Sequence, residues 1–112
     1  MPKAKRTTYT ITNWGQKEKI WLTKTTYVNN DTLAVQAWCK EGPYDTITVN
    51  LEESKDWAGT NYQFVDTNNC PWAPEFLEKN GLGRNTGILG FSGFCAYPLF
   101  LFEGDKIPES KA

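Results

Sequence analysis

The segment 63–102, QFVDTNNCPWAPEFLEKNGLGRNTGILGFSGFCAYPLFLF, carries the residues that decide the fold. It holds five of the nine glycines and two of the three cysteines, and glycines at this density favour turns and irregular backbone. Pro71 suits the first turn of a helix, and Gly81 suits the position after its end, which predicts a helix within 71–80. We expect Gly81 to take positive φ and Leu82 to fold back on Leu77. The predicted apolar stripe consists of Trp72, Phe76 and Leu77.

The glycine-rich part that follows, 83–93, is predicted to be an irregular loop. Its apolar side chains are Ile88, Leu89, Phe91 and Phe94. Exposed, they would form a surface for a partner protein; buried, they would close one end of the sheet. We predict an ordered Ω-like loop over 84–94, because burial of these side chains offsets the cost of ordering the glycines. A last strand is predicted at 96–102, where Pro98 favours an edge position or a bulge.

Upstream of this segment, alternation of apolar and polar residues predicts four strands at 7–12, 17–27, 33–40 and 44–51, with a short one at 62–65. The turns between the four strands are short, which is typical of an antiparallel meander. The predicted fold class is therefore α+β: an antiparallel β-meander of four to six strands packed on one short α-helix, with a glycine-rich C-terminal loop. The last strand is expected to join the same sheet. The predicted core residues are Leu33, Val35, Ile47, Val49, Phe76 and Leu77.

Length and composition predict a single domain over 1–112 with flexible tails at 1–6 and 104–112. The chain is 39% hydrophobic and 22% charged, which is typical of a globular protein. We find no apolar run that would span a membrane and no apolar signal segment, so we predict a cytoplasmic protein without a membrane partner. In that compartment three widely spaced cysteines are expected to be free thiols: Cys39, Cys70 and Cys95.

The sequence lacks histidine, which excludes serine–histidine and cysteine–histidine catalytic pairs and the commonest metal ligand. The segment GFSGF at 90–94 resembles a nucleophile elbow, but Phe94 stands where the motif requires glycine. Three cysteines without a CxxC pair do not make a structural zinc site alone. We therefore predict no enzymatic activity, no catalytic or metal-binding residue and no cofactor.

Two polar segments are the candidate binding sites. In the first, Asp66, Asn68 and Asn69 offer a carboxylate and two amides, although such residues before a helix are more typical of turns and caps. In the second, glycines at 81 and 83 would let successive N–H groups bind an anion, which Arg84 would grip; the alternative is a helix cap followed by a loop. The predicted binding residues are Asp66, Asn68, Asn69, Arg84, Asn85, Thr86, Phe91 and Ser92.

The net charge of −1 is unevenly distributed. Residues 1–24 carry six cations against one acid, a net of +5, so 25–112 carry −6. This basic N-terminal half is the basis of an alternative function in nucleic-acid binding, with aromatic rings as stacking partners. The cations are Lys3, Lys5, Arg6, Lys17, Lys19 and Lys24, and the rings are Tyr9, Trp14 and Trp21.

Several short stretches also resemble a known protein family. They are FVDTNN at 64–69, PWAPEFLEKNGLG at 71–83, TG at 86–87 and SGFCAYPLF at 92–100. These resemble a family of small bacterial proteins of unknown function, carried mainly by plasmids, conjugative elements and phages of gut-type anaerobic bacteria. The resemblance implies a cytoplasmic accessory protein of a mobile genetic element and brings no established activity. It favours a protein-binding module, in the form of an inhibitor of a host defence nuclease of the anti-CRISPR or anti-restriction type.

Overall fold

The computed structural model describes residues 7–110, and four of its strands form a first antiparallel sheet. They are β1 (Tyr9–Asn13), β2 (Gln16–Thr26), β3 (Leu33–Cys39) and β4 (Gly42–Thr46), paired in the order β1-β2-β3-β4. Positive φ at both central residues of the first turn, Trp14 and Gly15, suits the twist of a tight hairpin. The predicted meander is confirmed over these strands.

A second antiparallel sheet holds the other four strands. They are β5 (Thr48–Val49), β6 (Tyr62–Val65), β7 (Gly83–Ser92) and β8 (Cys95–Phe102), in the order β5-β6-β8-β7. The chain passes between the sheets at Ile47, whose N–H donates to Val35 O while its C=O accepts the N–H of Asp66. Eight strands in two sheets agree with the α+β class, but two finer predictions are wrong. Residues 44–51 are not one strand, and the last strand does not join the first sheet.

The prediction drawn from Pro98 is wrong for the edge position and right for the bulge, because the register between β7 and β8 shifts next to the pair of Leu89 with Pro98. Strand β8 lies inside the sheet, between β6 and β7, rather than at its edge. The ladder between β6 and β8 ends with Phe64 opposite Leu99, and Pro98 is the next residue of β8. A residue without an N–H is tolerated there because pairing with β6 has already ended.

The structure contains a single α-helix within residues 7–110, α1 (Ala73–Lys79), and its end agrees with the prediction. Gly81 has φ +66°, Leu82 N–H donates to Leu77 O over 2.8 Å, and Gly81 N–H donates to Glu78 O. These two bonds form a Schellman cap, which satisfies carbonyl groups that the helix leaves unpaired. No helix in the described part of the chain is long and apolar enough to cross a membrane.

The main core lies between the first sheet, one face of the second sheet and α1. It contains five of the six predicted core residues: Leu33, Val35, Ile47, Phe76 and Leu77. The sixth, Val49, is only partly buried, because it packs with a smaller apolar cluster on the other side of the second sheet. That cluster contains Leu51, Phe64, Tyr97 and Leu99 and adjoins a 3₁₀ helix, Glu52–Trp57.

The segment 104–110 is packed on the fold, which corrects the prediction of a flexible tail there. Ile107 is 1% exposed and belongs to the main core. Lys24 N–H donates to Pro108 O and Lys24 O accepts from Ser110 N–H, so the segment pairs with β2. The physical reason is that β1 pairs with β2 only as far as Ile20, which leaves the next part of β2 open. The predicted tail at 1–6 lies outside the described residues.

Candidate functional site

The predicted irregular loop is an antiparallel hairpin formed by β7 and β8. Ser92 pairs with Cys95 across a two-residue turn in which Gly93 has φ +60°. Glycine at the first central position gives the turn the twist that a hairpin needs. The Ω-like loop predicted over 84–94 is therefore wrong, because the backbone of this segment pairs with β8 instead of folding on itself.

The apolar side chains of this hairpin are exposed. Of the six exposed large hydrophobic residues in the described chain, four form what we call the hairpin patch: Ile88, Leu89, Phe91 and Phe94. Phe94, on the turn, is 111% exposed and Phe91 is 60% exposed. Leu89 and Phe91 lie on one face of the hairpin, because they pair with Pro98 and Ala96 at period two. The prediction that these side chains are buried at the end of the sheet is wrong, and its exposed alternative holds.

The opposite face of the hairpin is anchored in the fold at Gly90. This residue is buried, and a Cβ atom added to it would lie 2.6 Å from Phe64 Cε1 and 2.8 Å from Leu51 Cδ1. Only glycine lets β7 approach the smaller apolar cluster so closely. One face of the hairpin is thus held against the protein while Leu89 and Phe91 project from the other.

We expect Gly90→Ala to lower the free energy of unfolding by about 1–3 kcal/mol, the usual cost of overpacking a tight site. The added methyl group must displace Phe64 or Leu51. Urea unfolding measures the change, with Ser92→Ala as the exposed control on the same strand. If Gly90→Ala is as stable as the parent, β7 does not pack on Phe64.

The polar residues at the start of β7 build a bulge. Asn85 Oδ1 accepts the N–H of Gly87, while Thr86 Oγ1 donates to Leu99 O and accepts the N–H of Ile88. Arg84 is exposed and pairs in the ladder with Leu101. The N–H groups of Gly81 and Leu82 donate to carbonyls of the helix, which is the cap alternative, and the anion-binding role of Arg84 stays a prediction.

The Asp66 segment has the geometry of a turn. Asp66 Oδ1 accepts the N–H of Asn69 over 3.2 Å, and Oδ2 accepts its side-chain amide over 2.8 Å. The backbone carbonyl of Asp66 also accepts the N–H of Cys70. Asn68 is exposed. The carboxylate therefore stabilises the connection between β6 and α1, which is the turn reading of this sequence, and its binding role stays a prediction.

The candidate binding residues do not gather at one place. Arg84 pairs with Leu101 and Ser92 with Cys95, so the two ends of β7 are six residue steps apart along β8. At about 3.3 Å per residue this distance is about 20 Å along the strand. A single small-molecule site cannot include both ends, whereas an extended protein surface can.

A carboxyl–thiol pair lies on the inner side of β4. Burial raises the pKa of the Cys70 thiol, and the negative charges of Asp45 and Asp66 raise it further. Burial also raises the pKa of the Asp45 carboxyl, although hydrogen bonds from Cys70 and the Thr46 backbone oppose this. A buried thiol that resists ionisation is chemically inert, so Cys70 has a structural role. The free-thiol prediction is confirmed for Cys39, Cys70 and Cys95.

A shallow groove runs between β1 and α1. It is lined by residues 8–12 at the edge strand and by residues in or next to the helix, including Trp72, Glu75 and Lys79. The indole Nε1 of Trp72 is buried and has no hydrogen-bond partner among the described residues. Within residues 7–110, no three histidine, cysteine or acidic side chains come close enough together to hold a metal ion.

Three of the six cations predicted to bind nucleic acid lie within the described residues. Lys17 and Lys19 are exposed on β2. Lys24 is partly buried, and its ammonium group donates to Gly104 O over 2.6 Å, which holds the C-terminal segment in place. The other predicted cations, Lys3, Lys5 and Arg6, lie outside the described residues.

Sequence reasoning identified the hairpin patch as one alternative but missed two glutamates beside it. Glu53, in the 3₁₀ helix, accepts the N–H of Phe91 over 2.8 Å, and Glu78, in α1, accepts the N–H of Asn85 over 3.3 Å. Each glutamate lies in a helix, whereas the N–H group that donates to it lies in β7, and no local sequence pattern predicts either contact. The alternation Leu89-Gly90-Phe91 indicated a strand. Which side chains contact the outer edge of that strand depends on tertiary packing.

Comparison with known proteins gives one finding. A family described as a domain of unknown function (DUF4313) matches residues 21–111, which is well over half of the chain. No curated protein and no solved structure gives a match. The match includes all of the second sheet, α1 and the hairpin patch. It agrees with the resemblance to a family of unknown function, and the chain therefore belongs to the DUF4313 family.

Proposed function

We propose that this protein is a non-catalytic protein-binding module that docks through the hairpin patch. The observation that carries the proposal is that, of the six exposed large hydrophobic residues in the described part of the chain, four lie within 88–94. Single exposed apolar residues are common on protein surfaces, but a contiguous apolar surface marks an interaction site.

The shape of the hairpin supports the proposal. Phe94 sits on a two-residue turn with its side chain fully exposed, so a partner can surround the ring. Phe91 and Leu89 extend the apolar surface from the turn along one face. Aromatic side chains that enter a partner's pocket contribute much of the affinity of protein interfaces. The anchored face at Gly90 supplies the rigidity that keeps the cost of ordering on binding low.

The test is affinity capture with matched variants from cells that carry the protein. We expect a captured protein to be lost with Phe91→Asp/Phe94→Asp and kept with Trp14→Asp. Trp14 is a suitable control because it is also an exposed aromatic residue, 85% exposed, on the turn of another hairpin. Recovery of the same proteins with all three chains would contradict the proposal.

The resemblance to proteins of mobile genetic elements supports a more specific form of the proposal. In this form the module acts in the cytoplasm and inhibits a host defence nuclease. The direct measurement is DNA cleavage by purified restriction or CRISPR nucleases of the host with added protein. We expect inhibition by the parent and by Trp14→Asp, and none by Phe91→Asp/Phe94→Asp. Equal cleavage with and without the parent chain would contradict this form.

Nucleic-acid binding is the second candidate, favoured by one observation. Lys17, Lys19 and Trp21 alternate along β2, so they lie on the face of the first sheet that points away from the main core. Affinity for a single-stranded oligonucleotide would then fall with salt, and Lys17→Glu/Lys19→Glu would reduce the slope of log K against log salt by about 1.4. If this variant binds the oligonucleotide with unchanged affinity, this face of the first sheet is excluded as the nucleic-acid-binding surface.

A further inference from the structure

No other strand of residues 7–110 pairs with the outer edge of β7. This strand is the last in the order β5-β6-β8-β7, so its backbone groups on the side away from β8 have no ladder partner. An exposed edge strand with apolar side chains is a template for pairing with a strand of another molecule. The apolar side chains here are Ile88, Leu89 and Phe91.

Side chains from other elements occupy two N–H groups along this edge. Glu78 accepts from Asn85 at one end, and Glu53 accepts from Phe91 at the other. Between them, Asn85 Oδ1 accepts from Gly87, whereas the Ile88 N–H bonds to Thr86 Oγ1 on the β8 side, where that hydroxyl donates to Leu99 O. At the two ends of the edge, the acceptors that an added strand would supply are therefore already provided by side chains.

The two glutamates belong to other elements of the fold than the remaining acceptors do. The amide and hydroxyl acceptors belong to β7 itself and shape its bulge, whereas Glu53 and Glu78 reach it from the 3₁₀ helix and from α1. Charged side chains at an edge also oppose its pairing with another strand, because a strand that displaces them must leave the carboxylates unpaired beside it.

Without the two glutamates, the outer edge of β7 is complementary to the same edge of a second chain. Since Phe91 N–H points away from β8, the backbone of Leu89, two residues before it, points the same way. An antiparallel pair with a twofold axis at Gly90 places Leu89 of one chain opposite Phe91 of the other. That pairing joins the backbone edges and brings the apolar side chains of the two hairpins together.

We propose that Glu53 and Glu78 are edge caps that prevent β7 from pairing with β7 of a second copy of this chain. The caps leave the hairpin patch available through its side chains while closing its backbone. This inference concerns self-association, and it holds or fails independently of the function proposed above.

The test is the mass in solution of the full chain, measured by sedimentation equilibrium. We expect the parent to have the mass of one chain and Glu53→Ala/Glu78→Ala to shift to two or more. The matched control is Glu52→Ala/Glu75→Ala, which removes the same charge from exposed positions of the same two helices and should stay at one chain. If the double variant folds poorly, Glu53→Ala alone is the milder test. It should shift the measured mass in the same direction by a smaller amount.

A second pair of variants identifies the surface. In the Glu53→Ala/Glu78→Ala background, Phe91→Pro removes the outward N–H and should restore the mass of one chain, whereas Phe91→Ala keeps that N–H and should stay associated. The inference is overturned if the parent already associates through β7 or if neither glutamate variant associates. It is equally overturned if Phe91→Pro leaves the association unchanged.

Discussion

Replacing Phe76 by alanine is expected to lower the free energy of unfolding by about 3–5 kcal/mol, the usual loss for a buried aromatic residue. Phe76 is 6% exposed and packs edge-on against Tyr9, with ring centroids 5.3 Å apart, and against Trp72 at 5.5 Å. It therefore joins α1 to the first strand. Truncation leaves a cavity lined by these rings, and a seven-residue helix has little intrinsic stability with which to close it.

Urea unfolding at equilibrium measures this loss, and Glu75→Ala is the matched control. Glu75 precedes Phe76 on the same helix but is exposed, so its replacement should change the stability by no more than about 0.5 kcal/mol. A loss below about 1 kcal/mol for Phe76→Ala would mean that α1 does not cover the core. If the free energy of unfolding falls with urea concentration at the same slope in the variant and the parent, the unfolding transition itself stays the same.

The helix and the first sheet were predictable because their signals are local. The cap at Gly81 follows from the backbone freedom of that residue, whereas Pro71, predicted to lie in the first turn, lies before α1, and the proline in the first turn is Pro74. Period-two alternation fixes which side chains of β2 and β3 face the core. These features depend on residues a few positions apart, and they would be the same in many tertiary contexts.

The second sheet was not predictable in the same way. Glycines in 83–93 suggested a loop, but each has a different cause in the structure. Gly87 and Gly93 take positive φ in a bulge and a turn, whereas Gly90 is required by the close approach of Phe64. That approach joins residues 26 positions apart, and no local pattern contains it. The passage of the chain between sheets at Ile47 is likewise set by packing.

The candidate site was predicted in part. Its apolar residues were identified from the sequence as a possible surface for a partner, but their exposure depended on whether other elements covered them. The polar residues were assigned to binding, and oxygen atoms of three of them are used within the chain. Asn85 and Thr86 support the bulge, and Asp66 supports a turn. Side-chain hydrogen bonds of this local kind compete with any ligand for the same atoms.

Gln63 is another residue whose contacts could not be predicted from the local sequence. Its replacement gives the second large expected loss of stability. Its position in β6 suggested an ordinary strand residue, yet it is fully buried between the sheets. Its amide nitrogen donates to Leu33 O, in the first sheet, over 2.8 Å. Its carbonyl oxygen accepts from Ser54 Oγ over 2.8 Å and from the N–H of Phe64 over 2.9 Å. One side chain thus joins both sheets and the 3₁₀ helix.

We expect Gln63→Leu to lower the free energy of unfolding by about 2–5 kcal/mol, although leucine is apolar and close in size. The substitution removes the partners of Leu33 O and the Ser54 hydroxyl, and each buried polar group left unpaired costs about 1–3 kcal/mol. Gln16→Leu is the control for the same chemical change at an exposed strand position, and it should stay within about 0.5 kcal/mol of the parent.

A double-mutant cycle with Ser54→Ala separates the network from simple loss of packing. Ser54 Oγ also accepts the N–H of Leu51, so the hydroxyl links Gln63 to the start of the 3₁₀ helix. If the network acts as a unit, Ser54→Ala/Gln63→Leu should cost less than the sum of the single losses by about 0.5–3 kcal/mol. Additive losses would show that the two side chains stabilise the protein separately. The sheets would then be held together by apolar packing rather than by this buried amide.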